Sequence, residues 1–276
     1  MGCVVASIDP DRVAALLRDA AREEILPRFR ALAADEIRTK DAYGDPTDVV
    51  TAADLAMERR ICPQLAALLP GSVVVAEEAA FADPDILRAL DGDAPVWLVD
   101  PLDGTKNFAA GSANFGAMVA LVTGGATVMS WIHLPCEDAM FVAESGAGAT
   151  LDGRPFRADG AATLGPPAGT VYGRVSMRRE EFELLESRAA AEGRARPPLG
   201  SAAVEYTSVL RGRRDYVVYH RLLPWDHAPG ALLVAEAGGS IRHADGDAYA
   251  PRHRHRTLLA ARTGAAWDAA HAALFA

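Results

Sequence analysis

The stretch VWLVDPLDGTKNF, from Val96 to Phe108, runs from an apolar segment directly into two aspartates and a Gly-Thr turn. Its first four residues have the apolar, partly β-branched character of a buried strand. Asp100 and Asp103 stand at the end of that strand. A helix that begins near Thr105 or Asn107 would place its unpaired backbone N–H groups beside both carboxylates. The stretch therefore predicts a strand, turn and helix that meet at an acidic edge.

Acidic residues follow apolar segments at three further places. They are Asp54 in DVVTAAD, Glu77 in VVVAEE and Asp226 in PWDHAPG. Open α/β sheets bind ligands at the ends of their strands, so acids delivered there can converge. Two carboxylates ~5 Å apart repel each other by ~3 kcal/mol at an effective dielectric constant of 20, so such a cluster calls for cations. Oxygen ligands of this kind favour Mg²⁺ or Mn²⁺ over zinc.

The Gly-Thr turn after Asp103 adds an anion site to the expected cation site. A helix N-terminus beside bound metal ions suits a phosphate group, and two ions can activate a water and neutralise a leaving oxygen. Each element alone has a plainer interpretation. Asp100 and Asp103 could form a solvated turn, Glu77 could be surface charge, and Asp226 could cap a helix. The four acidic places together favour a shared site.

Apolar periodicity and turn residues predict an antiparallel sheet with helices in the first half of the chain. A first helix is predicted from Asp9-Pro10 to about Ala33, and a second from about Ala53 that Pro63 would kink or divide. The predicted strands are Ser72–Ala76, Val96–Val99, Phe115–Val122, Thr127–Leu134 and Ala139–Glu144, with a hairpin turn at Thr123–Ala126.

Helices and strands alternate in the second half, which indicates layered α/β packing. We expect an irregular crossover from Ser145 to Gly169, a half formed by residues 1–150 and another formed by residues 151–276. The predicted elements are strands at Thr170–Gly173, Asp215–Tyr219 and near Leu258, and helices at Arg178–Glu192, after Gly200 and at Asp226–Ala237.

Composition limits the class of protein. A chain of 276 residues, half of them apolar, can form a large globular core, and its net charge of -9 argues against a nucleic-acid partner. No stretch approaches the ~20 apolar residues of a membrane helix, so no membrane partner is expected. Cys3, Cys62 and Cys136 show neither metal-ligand spacing nor a disulfide framework, which favours the cytoplasm.

The motifs resemble those of the inositol monophosphatase family of Mg²⁺-dependent, lithium-sensitive phosphatases. The resemblance covers about Lys40 to Gly239 and rests on motifs in the same order: DVVTAAD at Asp48–Asp54, AEE at Ala76–Glu78, DPLDGTKNF at Asp100–Phe108 and WDHAPG at Trp225–Gly230. It implies a layered αβαβα sandwich of the α+β class with the site in the cleft between the halves, and a homodimer.

The resemblance also implies the roles of the site residues. Metal ligands would be Glu77, Asp100, Asp103, Asp226 and the Leu102 carbonyl, holding two or three Mg²⁺ ions, or Mn²⁺ in their place. Asp54 and Thr105 would hold and polarise the attacking water, Glu77 would contribute to catalysis as a ligand, and the amides of Gly104 and Thr105 would bind phosphate. The expected partner is a small phosphorylated metabolite.

Two departures from the family pattern bear on the substrate. The chain has only two lysines, Lys40 and Lys106. Lys106 stands where inositol-type members carry Thr. Tyr219, followed by His220, stands where those members carry an inositol-binding Glu. Lys106, Tyr219 and His220 are therefore the predicted substrate contacts, while Glu205 in GSAAVEY could face the substrate or the surface. An inositol phosphate, a sugar, cyclitol or amino-alcohol phosphate, histidinol phosphate and a 3'-phosphoadenosine nucleotide all stay open.

Rival functions remain. A haloacid-dehalogenase type of phosphatase uses DxDGT with a nucleophilic Asp, whereas this chain has DxxDGT. A non-catalytic, metal-binding regulatory homologue would be expected to lose a ligand or the water-orienting Thr, and this chain retains them.

Overall fold

The computed structural model describes residues 8–40, 45, 47–158, 160, 167–191 and 194–276. Within this part, the strands form sheets of two, seven and four strands. Their bounds are β1 Ile37–Thr39, β2 Val49–Thr51, β3 Val73–Ala76, β4 Val96–Asp103, β5 Gly116–Thr123, β6 Ala126–Leu134, β7 Ala139–Glu144, β8 Gly148–Leu151, β9 Arg154–Phe156, β10 Gly169–Val171, β11 Tyr216–Arg221, β12 Ser240–His243 and β13 His255–Ala261.

The helices begin at capping residues that the sequence supplies. The α-helices are α1 Pro10–Ala20, α2 Ala52–Leu68, α3 Glu77–Ala82, α4 Thr105–Ala109, α5 Arg179–Ala190, α6 Ala202–Leu210, α7 Pro224–Glu236 and α8 Gly264–Phe275. Asp9, Thr51, Ser201 and Thr263 accept backbone N–H groups at the starts of α1, α2, α6 and α8. Each cap satisfies an amide that the helix leaves unpaired.

The seven-stranded sheet, in sequential order from β3 to β9, lies between two helical layers. Trp97 and Val99 of β4 pack on one face with Leu17 of α1 and Ile61 of α2. Side chains alternate along a strand, so neighbouring positions pack on the other face. There Met118 and Ile132 join Tyr206 of α6 and Leu233 of α7.

The four-stranded sheet, in the order β10-β11-β13-β12, completes the stack. Val217 and Leu258 pack towards α6 and α7, while Val218 and Leu259 pack with Leu185 of α5 and Trp267 of α8. The layers are therefore helix, sheet, helix, sheet and helix, which confirms the expected αβαβα sandwich. Both sheets are mixed, since one pair in each is parallel, β10–β11 in this sheet and β3–β4 in the seven-stranded sheet. The predicted antiparallel sheet of the first half therefore holds except for its β3–β4 edge.

Two predicted helices differ from the observed ones. The first continues from α1 as a π-helical turn, Ala21–Ile25, and a 3-10 turn that ends at Arg28, short of the predicted Ala33. Pro63 lies inside α2 without dividing it. The lost hydrogen bond is outweighed there by burial of Ile61 and Leu65 on either side of the proline.

The predicted irregular crossover was wrong in its first part. Strands β8 and β9 extend the seven-stranded sheet to Phe156. Asp152 and Gly153 join them with positive φ angles of 51° and 74°, the geometry of an Asp-Gly hairpin turn. Residues 159 and 161–166 of the crossover lie outside the described residues. The division into residues 1–150 and 151–276 stays a prediction.

Candidate active site

A cavity of about 290 Å³ opens where β4, α4, α6 and α7 approach one another. Every site residue predicted above lines it except Asp54: Glu77, Asp100, Leu102, Asp103, Gly104, Thr105, Lys106, Tyr219, His220 and Asp226. The fold thus brings together predicted acids from three separate segments of the chain.

The end of β4 shows how the opening motif builds one wall of this cavity. Asp100 pairs with Met118 of β5 and Asp103 pairs with Gly116, so β4 bulges by one residue between its aspartates. Asp100 Oδ1 accepts the Leu102 amide at 3.0 Å. Gly104 then turns the chain with a φ of 89°, and a Cβ there would lie 2.8 Å from the Asn114 carbonyl oxygen. Helix α4 begins at the next residue, as predicted.

Asp103 connects β4 to the start of α6. Its carboxylate accepts the Ser201 hydroxyl and the backbone amides of Ala202 at 3.0 Å and Ala203 at 2.7 Å. Burial raises the pKa of Asp103 to about 6, although these hydrogen bonds oppose the rise. Ser201 was missed in the sequence because a serine carries no charge and has no distinctive spacing within GSAAVEY. It lies at the site because α6 docks on β4.

Glu77 lies beside a buried lysine. Lys40 Nζ is 2.7 Å from Glu77 Oε1 and 2.5 Å from Glu78 Oε1, and Lys40 is only 5 % exposed. Burial alone would lower the pKa of Lys40, but the two carboxylates outweigh it and raise that pKa. Lys40 therefore stays charged and neutralises part of the acidic cluster.

Asp54 lies behind the cavity wall. Its Oδ2 accepts the Thr51 amide at 2.8 Å and the Thr51 hydroxyl at 2.5 Å, which forms a capping box at the start of α2. Its Oδ1 lies 2.9 Å from Thr105 Oγ1. Burial raises the pKa of Asp54 to about 7. Asp54 therefore reaches the cavity only through Thr105, whose hydroxyl also lies 2.9 Å from the Leu102 carbonyl oxygen.

The acidic cluster fits hard cations in its chemistry. Burial, followed by repulsion from neighbouring acids, raises the pKa of Asp100 and of Asp226 well above the ordinary range. Across residues 8–40, 45, 47–158, 160, 167–191 and 194–276, no three His, Cys, Asp or Glu side chains form a closed metal-binding group. Asp103 and Glu77 are instead held by protein donors. Carboxylate oxygens that repel one another in a buried cavity are the donor set for Mg²⁺ or Mn²⁺.

The WDHAPG segment begins α7, but Asp226 does not cap it. The N-cap is Leu223, and Asp226 lies within the first turn and faces the cavity, so the capping interpretation was wrong. Burial lowers the pKa of His227 to about 3, so this imidazole is neutral. Its Nε2 lies 3.0 Å from the Arg221 carbonyl oxygen and its Nδ1 lies 2.9 Å from Tyr206 Oη. The neutral ring therefore donates to Arg221 and accepts from Tyr206.

The outer part of the cavity carries the predicted substrate contacts. Lys106 Nζ lies 2.8 Å from Asp45 Oδ2 and 2.9 Å from Thr47 Oγ1. Burial would raise the pKa of Asp45, but the hydrogen bonds from Lys106 and Thr47 lower it to about 2. His220 lines the cavity and bonds Thr257. Lys106 is thus already partnered by an acid from the neighbouring loop.

Glu205 does not face the cavity. It is fully buried, accepts Tyr172 Oη at 2.7 Å and the Leu199 amide at 2.8 Å, and forms an ion pair with Arg214. Tyr172 in turn stacks on Tyr219 with a centroid distance of 5.1 Å. Glu205 therefore supports an aromatic wall.

Known proteins resemble this chain along most of its length. The model of the "Inositol monophosphatase family" matches residues 9–276. A "Fructose-1,6-bisphosphatase/inositol-1-monophosphatase" of Thermotoga maritima is 33 % identical over 207 residues, 75 % of each chain. A "Nus factor SuhB" of Pseudomonas aeruginosa is 31 % identical over 80 % of each chain. A solved IMPase of Thermotoga maritima superposes with a TM-score of 0.76 at 25 % identity and covers 95 % of this chain and 96 % of its own.

Proposed function

Because the chain belongs to the inositol monophosphatase family, we propose that it hydrolyses a small phosphomonoester by attack of a water molecule, with Mg²⁺ bound at the acidic cluster. One observation carries the proposal. Glu77, Asp100, Asp103 and Asp226 line a single cavity together with Thr105, and Asp54 lies behind the wall, bonded to Thr105.

Cation binding is the first requirement of this proposal. Glu77, Asp100, Asp103, Asp226 and the Leu102 carbonyl oxygen would hold two or three Mg²⁺ ions, or Mn²⁺. Bound there, the ions would supply an activated water and would neutralise charge on the phosphate oxygens. Asp100 and Asp226, whose raised pKa values reflect burial and mutual repulsion, are the acids that a cation would stabilise most.

The chain's own groups orient the reactants. Thr105 Oγ1 donates its single proton to Asp54 Oδ1 or to the Leu102 carbonyl, which leaves a lone pair to accept a hydrogen bond from water. Asp54, fixed by Thr51, then determines which way that hydroxyl points. The amides of Gly104 and Thr105, at the turn into α4, are the proposed phosphate donors.

The leaving group would contact the outer wall, where Lys106, Tyr219 and His220 lie. These residues argue against myo-inositol 1-phosphate as the preferred substrate. A sugar, cyclitol, amino-alcohol or nucleotide phosphate remains within the proposal, and the Thermotoga relative's name extends the candidates to a bisphosphate. We also propose that the protein is cytoplasmic and forms a homodimer, and light scattering would test its oligomeric state.

Phosphate release from a panel of phosphomonoesters, with Mg²⁺ and with EDTA, tests the proposal. Asp100→Asn should abolish Mg²⁺-dependent release, whereas Asp93→Asn, at an exposed position outside the cavity, should keep it. Wild-type activity in Asp100→Asn would contradict the metal assignment. A phospho-aspartate trapped on Asp100 would show a nucleophilic aspartate in place of attacking water.

A non-catalytic regulatory role is the second candidate. The relative in Pseudomonas aeruginosa that is named a Nus factor favours it. No Mg²⁺-dependent release from any compound of the panel would support this role over hydrolysis.

A further inference from the structure

Two polar atoms at the cavity have no hydrogen-bond partner among the described residues. They are Tyr219 Oη and Arg221 Nη1, both removed from solvent. Both residues line the cavity, and Tyr219 is only 5 % exposed. Buried polar groups are normally paired, so two unpaired ones on one wall indicate a missing partner.

Both atoms are hydrogen-bond donors. A guanidinium has no acceptor atom at all. Burial raises the pKa of the Tyr219 hydroxyl well above its ordinary value, so the phenol keeps its proton. The missing partner of Arg221 Nη1 is therefore an acceptor, and an acceptor also suits the Tyr219 hydroxyl, so a group with two or more oxygens offers one oxygen to each donor.

The wall holds these donors in place. Tyr219 and Arg221 lie two residues apart on β11, where the pairing with β13 shifts register, and both line the cavity. His227 bonds the Arg221 carbonyl oxygen, which pins the backbone beside the guanidinium. The Tyr219 ring packs against Tyr172, and against His227 at a centroid distance of 4.6 Å. The two donors are thus preorganised.

Charge favours an anionic partner at this wall. Lys106 already neutralises Asp45 on the outer rim, whereas the described residues provide no ion pair for Arg221. Asp226 also lines the cavity, but Arg221 Nη1 forms no hydrogen bond with it. Asp48 also lines the cavity and could instead attract a cationic group of the substrate, so substrates with anionic and with cationic leaving groups must both be tested.

We propose that the substrate carries a second oxyanion on its leaving group, a carboxylate or a second phosphate, which Arg221 and Tyr219 bind. The inference rests on the proposed phosphatase activity and narrows its substrate class. Arg221 and Tyr219 would then select against neutral polyol phosphates and against phosphates of amino alcohols.

A matched pair of substrates tests this selection. 2-Phosphoglycerate carries a carboxylate where glycerol 2-phosphate carries a hydroxymethyl group, and the two are otherwise identical. Wild-type kcat/KM should favour 2-phosphoglycerate by about tenfold or more, because an unsatisfied polar site rejects the analogue that lacks the matching group. Fructose 1,6-bisphosphate against fructose 1-phosphate repeats the comparison for a second phosphate, and phosphoethanolamine provides a cationic leaving group.

Variants identify the residues responsible. In Arg221→Gln and Tyr219→Phe, the ratio of kcat/KM for 2-phosphoglycerate to that for glycerol 2-phosphate should fall towards one, chiefly because KM for the anionic substrate rises. Arg221→Lys should retain part of the preference. Arg88→Gln, at an exposed position away from the cavity, should keep the full preference. Circular dichroism checks that each variant folds. If Arg221→Gln does not fold, the substrate preference of Tyr219→Phe tests the inference. Equal kcat/KM for both matched pairs, or a preference for phosphoethanolamine, would overturn the inference.

Failure of the proposed activity would give a different result. If no compound is hydrolysed, the phosphatase proposal fails. Calorimetry would then still measure how tightly the Tyr219–Arg221 wall binds 2-phosphoglycerate and glycerol 2-phosphate. Binding of 2-phosphoglycerate about tenfold tighter, and lost in Arg221→Gln, would support the oxyanion site. Equal affinities would refute it.

Discussion

The Thr105 hydroxyl lies 2.9 Å from Asp54 Oδ1, and this bond links the start of α4 to the first turn of α2. It joins the one predicted catalytic residue outside the cavity to one that lines it. Its geometry is that of a carboxylate that orients a hydroxyl, which in turn can orient a water molecule.

Removing that hydroxyl should impair turnover. In Thr105→Val, kcat should fall about 100-fold or more with little change in KM, since positioned proton acceptors contribute on that scale. Thr105→Ser keeps the hydroxyl and should retain most activity, and Asp54→Asn should resemble Thr105→Val. Initial rates of phosphate release with the best substrate measure this. Wild-type kcat in Thr105→Val would refute the assigned role.

The two lysines offer a matched test of buried against exposed ion pairs. Lys40→Met should lower the free energy of unfolding by about 3 kcal/mol, because it leaves Glu77 and Glu78 buried without their counter-charge. Lys106→Met should cost less than about 1 kcal/mol, because the Lys106 side chain is 45 % exposed. Urea unfolding in EDTA gives both values. Equal losses would show that Lys40 is not the partner of the acidic cluster.

Divalent cations should stabilise the folded protein. Mg²⁺ at about 100 times its dissociation constant would add ~2.7 kcal/mol, seen as a rise of several degrees in the melting temperature. In EDTA, Asp100→Asn should melt above the wild type because it removes one of the repelling carboxylates, and Mg²⁺ should then raise its melting temperature less. Calorimetric melts with and without Mg²⁺ test both statements. An unchanged wild-type melting temperature would exclude cation binding at the cluster.

Helices α6 and α7 pack too closely for a methyl group at Gly230. An added Cβ would lie 2.1 Å from the ring of Tyr206. Gly230→Ala should therefore lower the free energy of unfolding by about 1–3 kcal/mol. Gly264→Ala, where a Cβ meets no atom within 4 Å, should be neutral or stabilising by up to ~1 kcal/mol. Urea unfolding distinguishes them, and a neutral Gly230→Ala would mean that α6 and α7 can separate without loss.

His133 should make stability depend on pH. Burial, which outweighs the nearby Asp138 carboxylate, lowers its pKa to about 4, whereas an unfolded chain has a histidine pKa of about 6.5. Between these values the unfolded chain binds a proton that the folded protein does not, so stability falls as the pH drops through this window. From pH 7 to 4.5, the wild type should lose about 1–2 kcal/mol more than His133→Gln. Parallel losses in urea titrations would contradict it.

The sequence predicted features that depend on local pattern. Acids after apolar runs predicted that Asp100, Asp103, Glu77 and Asp226 would converge, and the Gly-Thr turn predicted the start of α4. The β8–β9 hairpin was missed although Asp152-Gly153 signalled it, because the surrounding residues lack alternation.

Other site features depend on contacts between distant segments. Tyr172 reaches the cavity because β10 pairs in parallel with β11, and Ser201 because α6 docks against Asp103. Arg221 lines the cavity with an unpaired Nη1 atom, a property that depends on the folded arrangement of its neighbours. Such wall residues carry no signature in their own neighbourhood of the chain.

The two roles of Asp103 constrain how this protein can evolve. Its carboxylate accepts three hydrogen bonds from the start of α6, and it also belongs to the proposed cation-binding set. Any replacement there would impair both the seating of that helix and the chemistry of the cavity in a single mutational step. The Arg221 side chain makes no hydrogen bond or ion pair among the described residues, so new substrate preferences can arise at that position while the reaction itself is left intact.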